Sequence, residues 1–140
     1  MIGSDKMETV ATIQPGQRPR GIEVSRDGKL LFVAVGDDDK IQVFDTKTLS
    51  DAGELPSGPD PEQFILDPSG KTLYVANEND AMVTIIDVAK REATGEVSVG
   101  IEPEGMTVSP DAKVLICTSE TTSMVHFIDT ATHEITANLL

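Results

Sequence analysis

Arg20, Glu62 and Glu104 recur 42 residues apart, and Glu78 and Glu120 form a second pair at the same interval. One cation and four carboxylates brought together could do three kinds of chemistry. Carboxylates can gather around Ca²⁺, which takes about 6–8 oxygen ligands. They can move protons as general acids or bases. They can also receive a cationic partner by charge complementarity. Against these stands a plainer reading, a solvated acidic rim in which Arg20 partly neutralises Glu62. Arg18, Asp60 and Glu102 lie beside the first series, and Asp37 to Asp39 and Asp80 beside the second.

Other reactive residue types do not assemble. Asp37-Asp38-Asp39 lacks the spaced oxygen ligands and the closing Glu of an EF-hand loop. His126 and His133 have no clustered partners, which makes a poor zinc site. His126 is expected to pack between sheets or to point to solvent, and His133 to sit exposed in a turn. The lone Cys117 excludes an internal disulfide and any Cys-based metal cluster. It stands one interval from Val75 and two from Val33, so it is expected to be a small buried hydrophobe. No Ser-His-Asp or Cys-His arrangement is suggested by the spacing, and no glycine loop has the form that cradles phosphate. No catalytic residue, metal or cofactor is assigned on sequence.

The elements that must hold these residues repeat with them. Gly16, Gly58 and Gly100, Pro19, Pro61 and Pro103, and Asp45, Asp87 and Asp129 each recur at 42 residues without a gap. A period of this size means stacked units, each too small to bury its own apolar face. Gly21–Ser25 alternates, Arg26-Asp27-Gly28-Lys29 turns, and Leu30–Val35 is an almost continuous apolar run. Lys40–Asp45 alternates again, and a weak fourth strand runs from Asp51 to Leu55. The second unit repeats this with Gln63–Leu66, Thr72–Ala76, Met82–Asp87 and Thr94–Val99, and the third with Gly105–Ser109, Val114–Thr118, Met124–Asp129 and Ile135–Leu140. No segment keeps a 3.6-residue period, and β-branched residues dominate the apolar runs. Four short antiparallel strands per unit, radially repeated, predict an all-β β-propeller with three four-stranded blades. The boundaries read as a leader and the outer strand of a preceding blade over 1–15, then blades over 16–57, 58–99 and 100–140. The extra N-terminal outer strand is expected over 7–13. Asp45, Asp87 and Asp129 are expected to cap turns by accepting backbone N–H groups. Ala112 replaces Gly28 and Gly70 in the third turn, so that turn is expected either to carry strain or to differ in type.

Leu73-Tyr74-Val75-Ala76-Asn77 sits between Pro68-Ser69-Gly70-Lys71 and Val83-Thr84-Ile85-Ile86-Asp87. This resembles the YVTN family of β-propeller repeats. The first unit departs with Phe32-Val33-Ala34-Val35 and the third with Ile116-Cys117-Thr118-Ser119. The order Gly16–Gly21, Pro56–Glu62, Glu102–Met106 and Thr118–Asp129 is similar to periplasmic propellers associated with quinone-dependent (PQQ) alcohol oxidation in bacteria. That resemblance implies a periplasmic setting rather than a reaction. Some seven-bladed propellers with similar repeats hydrolyse sugar lactones, a few with a divalent metal. On that view Glu62, Glu78, Glu104 and Glu120 would be ligands or acid–base groups. In a propeller the fourth-to-first and second-to-third connections share one end, so the carboxylate series and Arg20 are expected at a common mouth.

The 140 residues carry a formal net charge of −13, which repels phosphate backbones and anionic lipid surfaces. No nucleic-acid partner is expected. No apolar run approaches the ~18 residues of a membrane span, and Met1–Lys6 has no hydrophobic stretch for a signal peptide. Either the chain is cytoplasmic or its leader has been removed. Aromatics are only 4%, so Val, Ile and Leu must build the core. Three units leave two apolar end faces of roughly several hundred Å² each, which predicts self-association, most simply as two copies closing a six-bladed ring, or else by edge-to-edge pairing through the spare N-terminal strand. The leading reading is a non-enzymatic propeller scaffold that presents its mouth to a protein or small ligand. The rivals are a lactonase-like, metal-assisted propeller hydrolase and an incomplete propeller fragment with no activity of its own.

Overall fold

The computed structural model describes residues 1–140 as an array of antiparallel sheets. A short hairpin of β1 (Ile2–Gly3) and β2 (Glu8–Thr9) comes first. The first four-stranded sheet holds β3 (Pro19–Val24), β4 (Leu30–Val35), β5 (Lys40–Asp45) and β6 (Asp51–Pro56). The second holds β7 (Pro61–Leu66), β8 (Thr72–Asn77), β9 (Met82–Asp87) and β10 (Glu92–Ser98). The third holds β11 (Pro103–Val108), β12 (Val114–Ser119), β13 (Met124–Asp129) and β14 (Ile135–Leu139). Within each sheet the strands pair in chain order, as in a propeller blade. The innermost strands β3, β7 and β11 lie side by side. No helix is long and apolar enough to cross a membrane.

Sheets stack through alternate residues of their middle strands. Phe32, Val43 and Leu55 of the first sheet pack on Leu66, Leu73 and Ile86 of the second. Tyr74, Val83 and Ile85 of the second pack on Leu115, Cys117 and Ile128 of the third. Fully burying one such Leu or Ile is worth about 2 kcal/mol. Cys117 is fully buried, and burial pushes its thiol up to about 12, so it behaves as the expected hydrophobe.

The N-terminal segment differs in detail from the single outer strand expected over 7–13. It is a hairpin whose turn copies those between third and fourth strands. Met7 has φ 55°, like Leu49, Arg91 and His133 at the same register. Its N–H donates to the Gly3 carbonyl at 2.8 Å, as that of Leu49 does to Asp45 at 2.9 Å. Asp45 caps its turn by accepting from the N–H groups of Lys47 and Thr48 at 2.9 and 2.7 Å. Asp129 does so with Ala131 and Thr132, and Asp87 with Lys90. These backbone hydrogen bonds hold all three carboxylates below their ordinary range.

Ala112 takes the strained one of its two expected alternatives, and His126 departs from its expected role. The third turn is not of another type: Ala112 has φ 59° where Gly28 and Gly70 have 74° and 72°. Each donates to the residue three before it, at 2.8 to 2.9 Å. His126 neither faces solvent nor merely packs. Its buried Nε2 accepts from the Gly100 N–H at 2.9 Å, which leaves Nδ1 to donate to Asn138 Oδ1 at 2.8 Å.

Candidate functional site

A β-bulge positions each member of the main charge series. Pro19 pairs with Val35, but Ile22 pairs with Val33, so Arg20 and Gly21 oppose a single residue of β4. Glu62 with Gln63 and Glu104 with Gly105 repeat the irregularity. Bulges re-aim side chains at the ends of strands. Here they sit at the start of the innermost strand of each sheet. The residue preceding each strand is left-handed: Arg18, Asp60 and Glu102 have φ of 54°, 55° and 58°. That conformation turns their carbonyls toward the neighbouring connection, where they accept from the N–H of Gly36, Glu78 and Glu120 at 2.9 to 3.0 Å. Three bonds thus tie the two loop groups together at one end of the sheets.

Arg18 is the hub of this end. Its Nη1 donates to Asp60 Oδ2 at 2.8 Å, and its Nη2 to Glu62 Oε1 and Glu78 Oε2 at 3.0 Å each. Arg20 donates through Nε and Nη2 to the Glu62 carboxylate. Asp60 and Glu62 are buried, at 5% and 3% exposure, while both guanidiniums keep more than a third of their surface. Burial alone would raise Glu62, but the hydrogen bond from Arg20 and the charges of both arginines outweigh it and hold this carboxylate below its ordinary range. Glu78 moves the other way, because it shares a hydrogen bond with Glu62 and is partly buried beside Asp60.

An open cleft of about 520 Å³ adjoins this network, lined by Arg20, Glu62, Gln63, Glu104, Gly105 and Met106. Partial burial, then the charges of Glu120 and Glu62, raise Glu104 above the usual carboxylate range. A carboxyl of this kind accepts a proton more readily near neutrality than an ordinary Glu. The five residues expected at the mouth therefore do converge. Arg20, Glu62 and Glu104 line the cleft, Glu120 reaches Glu104, and Glu78 reaches Glu62 through Arg18.

One oxygen from each of Asp60, Glu62 and Glu78 falls within 4.8 Å of the others, close enough to share a cation. Arg18 is that cation. Arg18 already sits among these three carboxylates, so a metal that used them, with water completing its ~6–8 oxygens, would have to displace the guanidinium.

Sequence reading placed Arg18 and Asp60 near the mouth without pairing them, and it passed over Gln63 and Met106. The signal was the register that sets residue i beside i+42: it already paired Arg20 with Glu62, and applied to 18 and 60 it gives the second ion pair.

A family model described as lactonase, 7-bladed β-propeller, matches residues 4–98. Among solved structures, hydrazine synthase of Kuenenia stuttgartiensis superposes with a TM-score of 0.81 at 28% identity, over 86% of this chain and 35% of its own. A Bacteroides fragilis protein assigned as a 6-phosphogluconolactonase gives a TM-score of 0.73 at 22% identity, over 95% of this chain and 43% of its own. At that identity the second likeness is one of fold. The chain spans less than half the length of either protein. No curated protein matches it.

Proposed function

The chain belongs to the seven-bladed β-propeller lactonase family, and on that premise we propose that its mouth opens a lactone ring by adding water. The observation that carries the proposal is the raised Glu104 carboxyl in a water-accessible cleft beside a fixed guanidinium. Glu104, as the carboxylate, takes a proton from a water whose oxygen attacks the lactone carbonyl carbon. Arg20 is anchored by Glu62 and has guanidinium N–H groups left over for the oxygen that becomes negative. The ring C–O bond then breaks, and protonated Glu104 returns its proton to the departing alkoxide. The products are a carboxylic acid and a hydroxyl on one chain. The test is ring opening of glucono-δ-lactone, followed by pH indicator above the spontaneous rate. Glu104→Gln is expected to remove about 10²–10⁴-fold of the catalysed rate. A wild-type chain no faster than Glu104→Gln overturns the reading.

A second reading, a non-enzymatic recognition module, draws on Arg18. Its three carboxylate partners fix the mouth before any ligand arrives, so recognition costs little ordering entropy. The resemblance to propellers of periplasmic alcohol oxidation gives this reading its setting. On either reading the isolated chain is proposed to self-associate through its two end sheets.

A further inference from the structure

The three sheets meet at two joints, and the joints are built differently. Nine side-chain hydrogen bonds cross from the first unit to the second. At the mouth these are the bonds of Arg18 and Arg20, together with Asp39 Oδ1, which accepts from the Asp60 N–H at 2.9 Å. At the opposite end Arg26 donates to the carbonyls of Leu66 and Asp67, and Glu23 Oε2 accepts from the Leu66 N–H at 3.0 Å. At the outer edge Arg91 Nη2 donates to the Ala52 carbonyl at 2.8 Å. The second and third sheets meet through the apolar cluster around Tyr74, Ile85, Leu115 and Cys117, with no side-chain hydrogen bond or ion pair between them.

Register accounts for the contrast. One interval on, Glu23 and Arg26 become Ile65 and Pro68, whose side chains neither donate nor accept. Asp60 and Glu62 answer Arg18 and Arg20, but they are followed by Glu102 and Glu104, acid after acid. Across this joint Glu104 is repelled by Glu62 more than it is attracted by Arg20. Gly21 lets β3 lie close against β7, since a Cβ there would stand 2.8 Å from the Glu62 carbonyl oxygen. The same position in β7 is Gln63, and here the 520 Å³ cleft opens. Arg20, Glu62 and Gln63 form one of its walls, and Glu104, Gly105 and Met106 the other.

We infer that the third sheet moves against the first two, so that the wall carrying Glu104 is mobile while the wall carrying Arg20 is fixed. The first two sheets open as one cooperative unit, and the third opens separately at lower cost. Both sheets of the weak joint are present, and the first sheet is an end sheet as the third is, so position in the array does not make the difference. The inference goes beyond the hydrolase reading and stands whether or not a lactone is opened.

Hydrogen exchange on the full chain, read by mass spectrometry, tests it. Amides of β11 and β12 are expected to exchange at least about tenfold faster than those of β3 and β4. Equal or slower exchange overturns the inference. Two turn variants then swap the character of the joints. Pro68→Arg copies Arg26, offers a guanidinium to the carbonyls of Val108 and Ser109, and is expected to slow β11 and β12 about tenfold. Arg26 occupies the same place in its own turn, so the turn tolerates arginine. Arg26→Gln removes the native clamp and is expected to speed β3 and β4 by a similar factor. If either variant leaves its sheet's exchange unchanged, polar bonds do not decide which sheet opens, and the inference falls.

Discussion

Glu104 and Glu120 lie close together at the mouth end of the third sheet, and their repulsion sets a measurable pH. Partial burial and the negative charges of Glu120 and Glu62 keep Glu104 protonated to higher pH than an ordinary Glu. In the proposed mechanism the base form is the active one, so the rising limb of the pH–rate profile should lie above the usual carboxylate range of about 4.3. Glu120→Gln removes a negative neighbour, lowers the Glu104 value and moves that limb to lower pH. A limb that stays in place means Glu104 is not the titrating group. His126 offers a separate test of residue chemistry. It does for Gly100 what Gln42 does for Gly16, accepting the turn N–H, at 2.9 Å against 3.0 Å. His126→Ala leaves a buried amide unpartnered and should cost about 1–3 kcal/mol in urea unfolding, whereas His126→Gln should recover most of it. Equal losses would show that packing, not the acceptor, matters there. The series at 42, 84 and 126 is visibly polar in the sequence. Its role was not, because Gln42 and His126 each accept a backbone N–H that only the sheet geometry identifies, while in the second sheet Asn77 accepts that N–H and donates to Thr84.

Strands were legible where the pattern was pure. Leu30–Val35, Lys40–Asp45, Met82–Asp87 and Met124–Asp129 match their expected spans end to end. The innermost strands begin two residues earlier than expected, on Pro19, Pro61 and Pro103. Proline reads as a breaker, yet it is tolerated as the first residue of a strand. The bulges that follow were not legible, since nothing in the composition marks an extra residue before the ladder closes. They are nonetheless what aims Arg20, Glu62 and Glu104. The third turn supplies a prediction at this scale. Ala112 holds the left-handed conformation that Gly28 and Gly70 take freely, so Ala112→Gly should stabilise the chain by about 1 kcal/mol. That corresponds to a rise of a few degrees in Tm. Gly28→Ala is the converse control, because a Cβ there meets nothing within 4 Å and only the backbone conformation is at issue. It should lose about as much as Ala112→Gly gains. Thermal unfolding of both variants checks the pair, and a neutral Ala112→Gly would mean the turn relaxes without strain.

At the scale of the whole molecule the repeat leaves two surfaces with the composition of interfaces. Ile116, Val125, Phe127 and Leu139 occupy on the third sheet the register that Tyr74, Val83, Ile85 and Val97 use to bury the second against it. Ile22, Leu31, Val33 and Phe44 occupy on the first sheet the register of Phe64, Leu73, Val75 and Ile86. Ile13 covers part of that first surface, yet Ile22 stays 68% exposed, and Leu139 at the other end 56%. Two faces that repeat the two sides of an internal interface should fit one another on separate copies, and a head-to-tail contact of this kind either closes a ring or propagates. Light scattering should therefore give a mass above the monomer's 15.0 kDa. Ile22→Lys and Leu139→Lys place charges on surfaces already open in the single chain, so they should return the mass to the monomer value while the circular-dichroism strand signal stays unchanged. Unaltered chains that remain monomeric at high concentration would mean these faces are stable in water as they stand, and that apolar register alone does not drive the sheets together.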